Sequence, residues 1–431
     1  MNMSSKPILV IYFIYSISVL LSGPACSQSS DWTHFRGSES NGIAAADKVP
    51  VKWDDKVIRW KAPVHGKGHS SPVVYGNQVW LTTATEDGRE LYALCYDLRS
   101  GKLIYDIKVF TPPDVDEKHS MNTYATPTPC IEKGFVYVHY GNPGTACINT
   151  SNGTIVWKNS DFKCNFVQGA ASSPVIYKDL VILHYEGVDV RFVVALKKSD
   201  GKLAWKSERP EEPYEPLSEI GRKAYITPLL ISVRGKDLLI SNSSALCIAY
   251  EPATGKEVWR VVDGAESTIA MPVEENGTVY WYSGYMVAPD GSHYTNLLAV
   301  NPDGKGDITS TNILWKKRDP LAHNQMLTPV IRDGLIYTVN SRNQMMCIDA
   351  KTGNEVWSKH MTADYDSSPL YIDGNIWFFS ARGEILVLKA GRKYEEVAKN
   401  KLESGIFATP AVVNNSMIIR TQGLLYRIGA N

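Results

Sequence analysis

The chain is organised as short apolar runs separated by turn residues. A first set of four runs covers Pro72–Tyr75, Gln78–Thr82, Glu90–Asp97 and Lys102–Ile107, and Gly, Asn, Asp or Ser lies between them. Runs of this length, rich in Val, Ile, Tyr and Trp, are typical of β-strands and hairpins. The sequence shows no amphipathic helix of ordinary length. The pattern therefore predicts an all-β chain.

This four-strand pattern recurs along the chain. Each copy opens with a small, hydroxyl or methionine residue followed by proline and a β-rich run, and the average spacing from Pro72 to Pro410 is about 48 residues. Repeats of this length lie in the range of propeller blades, so the sequence predicts an eight-bladed β-propeller of four-stranded antiparallel blades. The copies begin at Ser71, Thr126, Ser173, Thr227, Met271, Thr328, Ser368 and Thr409.

The two ends of the repeat region complement each other. The last copy has three runs, Thr409–Val413, Ser416–Arg420 and Leu424–Ile428, whereas Val57–Trp60 is a fourth strand without its first three. Pairing these ends would close the ring and remove an exposed sheet edge. We therefore expect residues 57–431 to form the propeller, closed by pairing of an N-terminal strand with the C-terminal blade.

The N-terminus has the features of a secretory signal. Lys6 precedes a run from Ile8 to Leu21 that is apolar apart from two serines, and small residues follow. This run is too short for a good membrane span, so residues 1–27 are interpreted as a signal peptide and residues 28–56 as an N-terminal extension. Two interpretations of its end stay open: ordinary cleavage, or a lipoprotein signal that ends before a lipid-carrying Cys26.

The clearest repeats also carry a turn glycine and a tryptophan. Asp349-Ala350-Lys351-Thr352-Gly353-Asn354-Glu355-Val356-Trp357 is one copy, and Glu251 to Trp259 is another. This run resembles the tryptophan-docking repeat of pyrroloquinoline-quinone-like (PQQ-like) propellers, whose blades are also WD40-like. The opening Asp31-Trp32-Thr33-His34-Phe35-Arg36-Gly37 is similar to the start of many secreted bacterial members.

That resemblance implies a fold but not one function. The family includes quinoprotein alcohol dehydrogenases, which carry a vicinal cysteine pair against the quinone, and non-enzymatic members such as the outer-membrane-protein assembly lipoprotein. This chain has no Cys-Cys pair, so it is closer to the non-enzymatic members. The resemblance implies an exported protein, located in the periplasm or anchored as a lipoprotein in the outer membrane of a Gram-negative cell envelope.

Periodic recurrence favours structural roles for the repeated residues. The glycines fit turns that other residues adopt poorly, and the aromatic rings are expected to lock one blade to the next. These scaffold tryptophans are Trp157, Trp205, Trp259, Trp315 and Trp357. Cysteines at equivalent repeat positions, such as Cys95, Cys147 and Cys347, are expected to be small buried hydrophobes, while pairing of Cys130 with Cys164 stays open.

Composition narrows the range of partners and cofactors. The 45 basic and 45 acidic side chains balance, which argues against a nucleic-acid-binding protein. Asn301–Asp307 has the composition of a calcium loop but lacks a complete set of ligand positions. The sequence therefore favours no metal and no cofactor, neither PQQ nor calcium, and a membrane contact only through a lipid on Cys26.

The loops before each inner strand and between second and third strands are expected to share one face, around the central channel. Polar and aromatic residues recur there, and such a concave polar surface is typical of a ligand site. The insertion Ser283–Asn296 is a candidate lid. The candidate ligand-binding residues are His69, His119, Asn122, Tyr124, Tyr185, Arg222, Tyr225, Tyr285, His323, Asn324, Arg342, Tyr365 and Arg382.

Three functions compete at this face. The sequence favours a monomeric binding or assembly scaffold that holds a protein or carbohydrate, because it contains no complete catalytic motif. The alternative is a glycan-active enzyme, a polysaccharide lyase or hydrolase, in which two acid–base groups must converge. A quinone-dependent dehydrogenase is the third. If the chain is an enzyme, the candidate catalytic residues are His139, His184, His323, Tyr225, Tyr365, Arg222 and Arg382.

Overall fold

A computed structural model describes residues 31–44, 46, 48–288, 290–319 and 325–429. Within these ranges the chain forms eight sheets with four antiparallel blade strands each, which confirms the predicted all-β, eight-bladed propeller. The predicted signal segment with Cys26, and the candidate residues His323 and Asn324, lie outside the described residues.

The first strands of neighbouring blades contact each other, which places them around the channel. In blades 1 to 7 the other strands then follow outward in chain order. Blades 1 to 4 comprise Val73–Tyr75, Gln78–Ala84, Leu91–Asp97 and Leu103–Phe110; Cys130–Glu132, Phe135–His139, Thr145–Asn149 and Ile155–Asn159; Val175–Tyr177, Leu180–Glu186, Arg191–Lys197 and Leu203–Glu208; and Leu229–Val233, Lys236–Asn242, Leu246–Tyr250 and Glu257–Val262. Blades 5 to 7 comprise Val273–Glu275, Thr278–Val287, His293–Val300 and Ile313–Asp319; Val330–Arg332, Leu335–Val339, Gln344–Asp349 and Glu355–His360; and Ser367–Ile372, Asn375–Phe379, Glu384–Lys389 and Glu396–Lys401.

Blade 8 joins the two ends of the chain as predicted. Its first three strands are Ala411–Val413, Ser416–Arg420 and Leu424–Gly429, and its outer strand is Ile58–Pro63. The outer strand runs antiparallel to Leu424–Gly429, with Lys61 opposite Tyr426. The ring is thus closed by backbone hydrogen bonds between segments far apart in sequence.

Two short strands extend blades beyond the predicted four. Ile43–Ala44 pairs in parallel with the inner strand of blade 7, and Gly306–Asp307 pairs in parallel with the outer strand of blade 4. Short 3₁₀ helices cover Asp55–Val57, Glu212–Tyr214 and Glu219–Arg222. None of the helices in the described part of the chain has the length and apolarity needed to cross a bilayer.

The outer-strand aromatics lock neighbouring blades, as predicted. The Trp157 indole donates to the Lys198 carbonyl oxygen at 2.8 Å, and its ring lies against Gly201 of the next blade, where a Cβ would approach to 2.5 Å. Trp60 makes the same contact across the closure, donating to the Leu98 carbonyl oxygen at 3.0 Å. Equivalent indole bonds are made by Trp205, Trp315 and Trp357.

Trp259 departs from this arrangement. Its ring is fully buried, and its indole nitrogen has no hydrogen-bond partner among the described residues. The strand Gly306–Asp307 pairs beside it, with Gly306 opposite Trp259. Between blades 4 and 5, the insertion in blade 5 therefore supplies an added strand beside Trp259, in place of the hydrogen bond from an indole to a turn that joins other pairs of blades.

Hydroxyl groups link the starts of the inner strands around the channel. The Ser71 N–H donates to the Thr128 hydroxyl at 2.9 Å, and the Thr128 N–H donates to the Ser173 hydroxyl at 3.0 Å. Because Thr128 occupies the position of Ser71 in this ring, the repeat start placed at Thr126 is corrected to Thr128-Pro129. The links from Ser173, Met271, Thr328 and Ser368 are made in the same way.

Residues 31–44 cross the ring as a strap that contains several turns. Trp32 exchanges backbone hydrogen bonds with Val74 of blade 1, at 2.8 and 2.7 Å. Farther along, the buried Arg36 donates to the Thr328 and Pro329 carbonyl oxygens of blade 6, at 2.6 and 2.8 Å. The strap then pairs with blade 7 through Ile43–Ala44. It therefore spans the inner strands from blade 1 to blade 7.

Two further sequence expectations are resolved by the fold. The insertion Ser283–Asn296 is not a separate loop, because Tyr285 pairs with Thr295 and the two middle strands of blade 5 continue as one long hairpin. Cys130 and Cys164 are both buried and carry free thiols, as do the other cysteines of the described chain. Burial raises the pKa of both thiols, which keeps them protonated.

Candidate functional site

A pocket opens where blades 8, 1 and 2 meet at the mouth of the channel. We call this the rim pocket; its volume is about 420 Å³, within the range of small-molecule sites. Its wall combines cations, rings, amides and hydroxyls. The lining residues are Val64, Gly66, Lys67, Gly68, His69, Thr85, Glu86, Lys118, Ser120, Asn122, Thr123, Tyr124, Phe407, Ala408, Arg420, Thr421, Gln422 and Gly423.

The rim pocket continues into the channel itself. We call the second space, of about 310 Å³, the channel cavity. The two share His69, Ser120, Phe407 and Gln422 in their walls. The channel cavity is lined by the hydroxyl ring described above, by methionines and by Phe35 of the strap. Together they form one funnel on the face predicted from the loops.

His69 lies at the junction of the two spaces. Its imidazole stacks on Phe407 with ring centroids 4.8 Å apart and planes 9° from parallel. Burial, followed by the nearby positive charges of Arg420 and Lys118, lowers the pKa of His69 to about 4. At neutral pH the side chain is therefore an uncharged ring in a positively charged wall.

The structure brings together four of the predicted ligand-binding residues. His69, Asn122 and Tyr124 line the rim pocket, and Tyr225 joins His69 in the wall of the channel cavity. The Asn122 amide donates to the Gln168 carbonyl oxygen at 2.8 Å, which holds the loop before blade 2 against the next loop.

Two predicted residues are absent from the lining of the funnel. The His119 imidazole accepts a hydrogen bond from the Met121 N–H at 3.2 Å and so shapes its own loop. Arg222 ends the helix Glu219–Arg222 and donates to the Leu217 carbonyl oxygen at 3.4 Å. Both side chains serve local turns in this structure.

Three others lie on separate parts of the ring. Tyr285 pairs through its backbone with Glu266, and burial together with that carboxylate raises the pKa of Tyr285 to about 12. Arg382 forms an ion pair with Asp364, with 3.5 Å between nitrogen and oxygen. Arg342 occupies the turn between the second and third strands of blade 6. The structure does not bring these three together.

The two histidines expected in second-to-third-strand loops lie instead inside strands, because those strands run longer than the sequence suggested. His139 is buried and its Nδ1 lies 2.9 Å from the Thr145 hydroxyl; burial lowers its pKa to about 3. His184 is buried 3.2 Å from the Ser241 hydroxyl and 3.5 Å from a carboxylate oxygen of Glu186. Both are packed between blades and do not line the funnel.

Two tyrosines expected to bind a ligand are also packed in the core. Tyr185 stacks on Phe192 within blade 3, with centroids 5.0 Å apart. Tyr365 packs edge-on to Phe378 at 6.1 Å. Burial raises the pKa of Tyr365 to about 12. Both rings belong to apolar core clusters between blades; Tyr185 reaches its cluster from a strand, and Tyr365 from the segment before the inner strand of blade 7.

Several lining residues were missed at the sequence level. Arg420 ends the second strand of blade 8, Phe407 and Gln422 come from blade 8 loops, and Lys118 lies in the long loop before blade 2. Position in the repeat gives no signal for Arg420, because the second strands of other blades end in residues as different as Ala84, His139, Glu186 and Phe379.

The lining does not fit a calcium-bound quinone. Calcium needs six to eight oxygen ligands, whereas Asp366 is the one carboxylate among the described residues of the channel cavity and Glu86 the one in the rim pocket. Nowhere in the described chain do three His, Cys, Asp or Glu residues cluster closely enough to hold a metal ion.

A comparison with protein families identifies the repeats. Residues 94–359 and 298–393 match the family described as "Outer membrane protein assembly factor BamB". The tetrathionate hydrolase of Acidithiobacillus ferrooxidans is 21% identical over 266 residues, which are 54% of this chain and 48% of the hydrolase. The chain thus spans about half the length of this curated relative.

Solved structures show the same fold in proteins of different activity. BamB from Moraxella catarrhalis superimposes with a TM-score of 0.59 at 10% identity, over 86% of this chain and 99% of BamB. The quinohemoprotein alcohol dehydrogenase of Comamonas testosteroni gives a TM-score of 0.65 at 12% identity, over 94% of this chain and 81% of the dehydrogenase. At these identities the likeness concerns the fold alone.

Proposed function

Because the chain belongs to the family of the outer membrane protein assembly factor BamB, we propose that it is an exported binding scaffold. It holds a protein or carbohydrate ligand in the funnel formed by the rim pocket and the channel cavity. The observation that supports this most directly is the continuity of the two spaces through His69, Ser120, Phe407 and Gln422. A concave surface with rings and convergent polar groups is typical of binding sites.

In this proposal the protein works in the cell envelope of a Gram-negative bacterium. Residues 1–27 direct export, and the mature chain is either free in the periplasm or anchored through a lipid on Cys26. The propeller acts as a monomer.

The arrangement of the candidate catalytic groups favours binding over glycan chemistry. Acid–base catalysis requires two groups within hydrogen-bond reach of one substrate. Of the described candidates only Tyr225 lines the funnel, and its hydroxyl donates to the Phe166 carbonyl oxygen at 2.9 Å. His139 and His184 are buried between blades.

The test compares ligand capture by the parent chain with capture by variants in which the funnel is blocked. The full mature chain is immobilised and exposed to a Gram-negative envelope extract and to a glycan array. Ser120→Arg and Gln422→Arg place large side chains at the junction of the two spaces, where both residues are exposed. We expect a ligand to be captured by the parent chain and lost in both variants.

Glu395→Arg is the matched control, because it adds the same side chain to an exposed turn of blade 7 outside the funnel. Capture should survive in this variant. The proposal is wrong if the parent chain captures nothing in either assay, or if the funnel variants capture as much as the control.

A further inference from the structure

Arg420 is a buried cation at the wall of the rim pocket. The residue is 3% exposed, and Nη1 donates to the Ser70 carbonyl oxygen at 3.1 Å, the Ser70 hydroxyl at 2.8 Å and the Thr82 carbonyl oxygen at 2.8 Å. One nitrogen of the guanidinium therefore fixes the position of the whole group, and its three acceptors are all uncharged.

The remaining nitrogens of this guanidinium have no partner of their own. Within the described part of the chain, Nε and Nη2 of Arg420 form no hydrogen bond and no carboxylate pairs with the side chain. Burial lowers the pKa of Arg420 to about 10, which still leaves it charged at neutral pH. A buried charge without a counter-ion is costly, so an anion in the pocket would stabilise this site.

The approach to Nη2 is kept open by a glycine. A Cβ at Gly68 would lie 2.6 Å from Nη2 and 2.8 Å from the Thr82 carbonyl oxygen. Gly68 also lines the rim pocket. The absence of a side chain at this position thus leaves the free edge of the guanidinium beside the cavity.

The rest of the wall is also positive. Lys118 lies over the Tyr124 ring, 5.3 Å from its centroid, and Lys67 is paired with Glu86, the one carboxylate of the described lining. Arg420 and Lys118 together are close enough to disfavour a charge on His69. The net field in the pocket therefore attracts an anion.

The uncharged part of the wall suits a sugar ring. Phe407, stacked on His69, adds an apolar ring to the wall, and Ser120 and Gln422 add a hydroxyl and an amide group. An aromatic ring combined with neutral hydrogen-bonding groups matches a pyranose, whose CH groups pack on rings and whose hydroxyls need polar partners.

We propose that the rim pocket binds an acidic saccharide of the uronate class, with its carboxylate on the free edge of Arg420. The guanidinium presents Nε and Nη2 in the fork geometry that receives both oxygens of a carboxylate. Lys118 adds a second cation at the mouth. The inference rests on the proposed function, because it names the class of ligand for part of the same funnel.

The test measures binding of D-glucuronate to the full mature chain by calorimetry, with D-glucose and acetate as comparison ligands. We expect glucuronate to bind more tightly than either, and its affinity to fall with added salt, since screening weakens the charge contacts. Equal binding of glucose would overturn the anion site. Equal binding of acetate would show a bare carboxylate site and overturn the saccharide assignment.

Variants locate the site. Arg420→Gln is expected to weaken glucuronate binding at least about tenfold, the effect of losing a charge-assisted hydrogen bond. Lys118→Gln is expected to weaken it less, and it keeps the test valid if Arg420→Gln fails to fold, since Lys118 is only half-buried. Arg99→Gln, which removes an exposed cation from a blade 1 turn, should have no effect.

The outcomes separate this inference from the scaffold proposal. The uronate site is wrong if Lys118→Gln and a folded Arg420→Gln bind glucuronate as the parent does, or if Arg99→Gln weakens binding equally. If capture from envelope extract is still lost in Ser120→Arg while glucuronate does not bind, the scaffold proposal stands and the uronate assignment fails.

Discussion

Buried imidazoles connect single residues of this propeller to its response to acid. Burial lowers the pKa of His139 to about 3 and of His69 to about 4, and it lowers that of His184 well below 6.5. In the unfolded chain these side chains titrate near 6.5. Between the two values the unfolded state binds more protons than the folded state, so stability falls as the pH falls.

We predict that the free energy of unfolding decreases as the pH is lowered from about 6.5 towards 4, with His139 contributing up to about 1.4 kcal/mol per pH unit. His139→Asn keeps a polar atom near the Thr145 hydroxyl and removes the titrating ring. Its stability should therefore depend less steeply on pH over this window, as measured by urea unfolding at several pH values.

The control for this prediction is His360→Asn, at an exposed position on blade 6. It should retain the slope of the parent chain. A parent-like slope in His139→Asn would contradict the assigned role of the buried imidazole.

At this scale the sequence predicted part of the lining of the candidate site but not its buried arginine. His69, Asn122 and Tyr124 could be placed on the funnel because they precede inner strands, and loop position is set by the repeat. Arg420 could not be placed there. Ser70 and Thr82 hold one nitrogen of its guanidinium, and these contacts form only when blades 8 and 1 pack together at the closure of the ring.

Among elements, the turn glycine and the outer-strand ring form one unit. Gly201 has a φ of 71° and lies against Trp157, whereas Gly235 has a φ of 77° and nothing near its missing Cβ. Alanine at either position incurs the cost of a left-handed backbone, about 1–2 kcal/mol. At Gly201 it also displaces the docked indole.

We predict that Gly201→Ala destabilises the protein by clearly more than Gly235→Ala, since its Cβ would stand 2.5 Å from the Trp157 ring. Chemical unfolding of both variants measures the difference. Equal losses of unfolding free energy in the two variants would show that contact with the Trp157 ring adds nothing to the cost of the left-handed backbone.

The inner hydroxyl ring gives a second prediction about elements. Thr328→Val removes the hydroxyl that accepts from the Met271 N–H at 3.1 Å, and a buried N–H left without a partner costs about 1–3 kcal/mol. Thr328→Ser keeps the acceptor and should be milder. Thermal and urea unfolding of the pair test this; a valine variant as stable as the serine variant would contradict it.

Sequence predicted the regular elements and missed the irregular ones for a physical reason. Four strands per blade follow from local alternation and turn residues, which recur along the chain, and blade 8 takes its fourth strand from Ile58–Pro63. The strand Gly306–Asp307 and the long hairpin around Tyr285 arise from insertions, whose conformation is decided by the sheet edge they meet. Such long-range pairing leaves no periodic signal.

At the scale of the whole molecule, closure of the ring depends on one strand from the N-terminal part of the chain. Ile58–Pro63 covers the edge of Leu424–Gly429. Without it blade 8 would expose a strand with unpaired backbone groups, a template for association with other chains.

We predict that replacing residues 58–63 by six Gly and Ser residues destabilises the fold and promotes oligomers. The same replacement of residues 111–116, which lie in a loop outside the blade strands, is the matched control and should leave a folded monomer. Sedimentation and urea unfolding distinguish the two. A monomeric, parent-like 58–63 variant would contradict the role of the closure strand.

The strap ties distant parts of the ring together. Its contacts reach blade 1 through Trp32, blade 6 through Arg36 and blade 7 through Ile43–Ala44. Removal of residues 31–44 would therefore release three blades at once and would also take the Phe35 side chain out of the wall of the channel cavity.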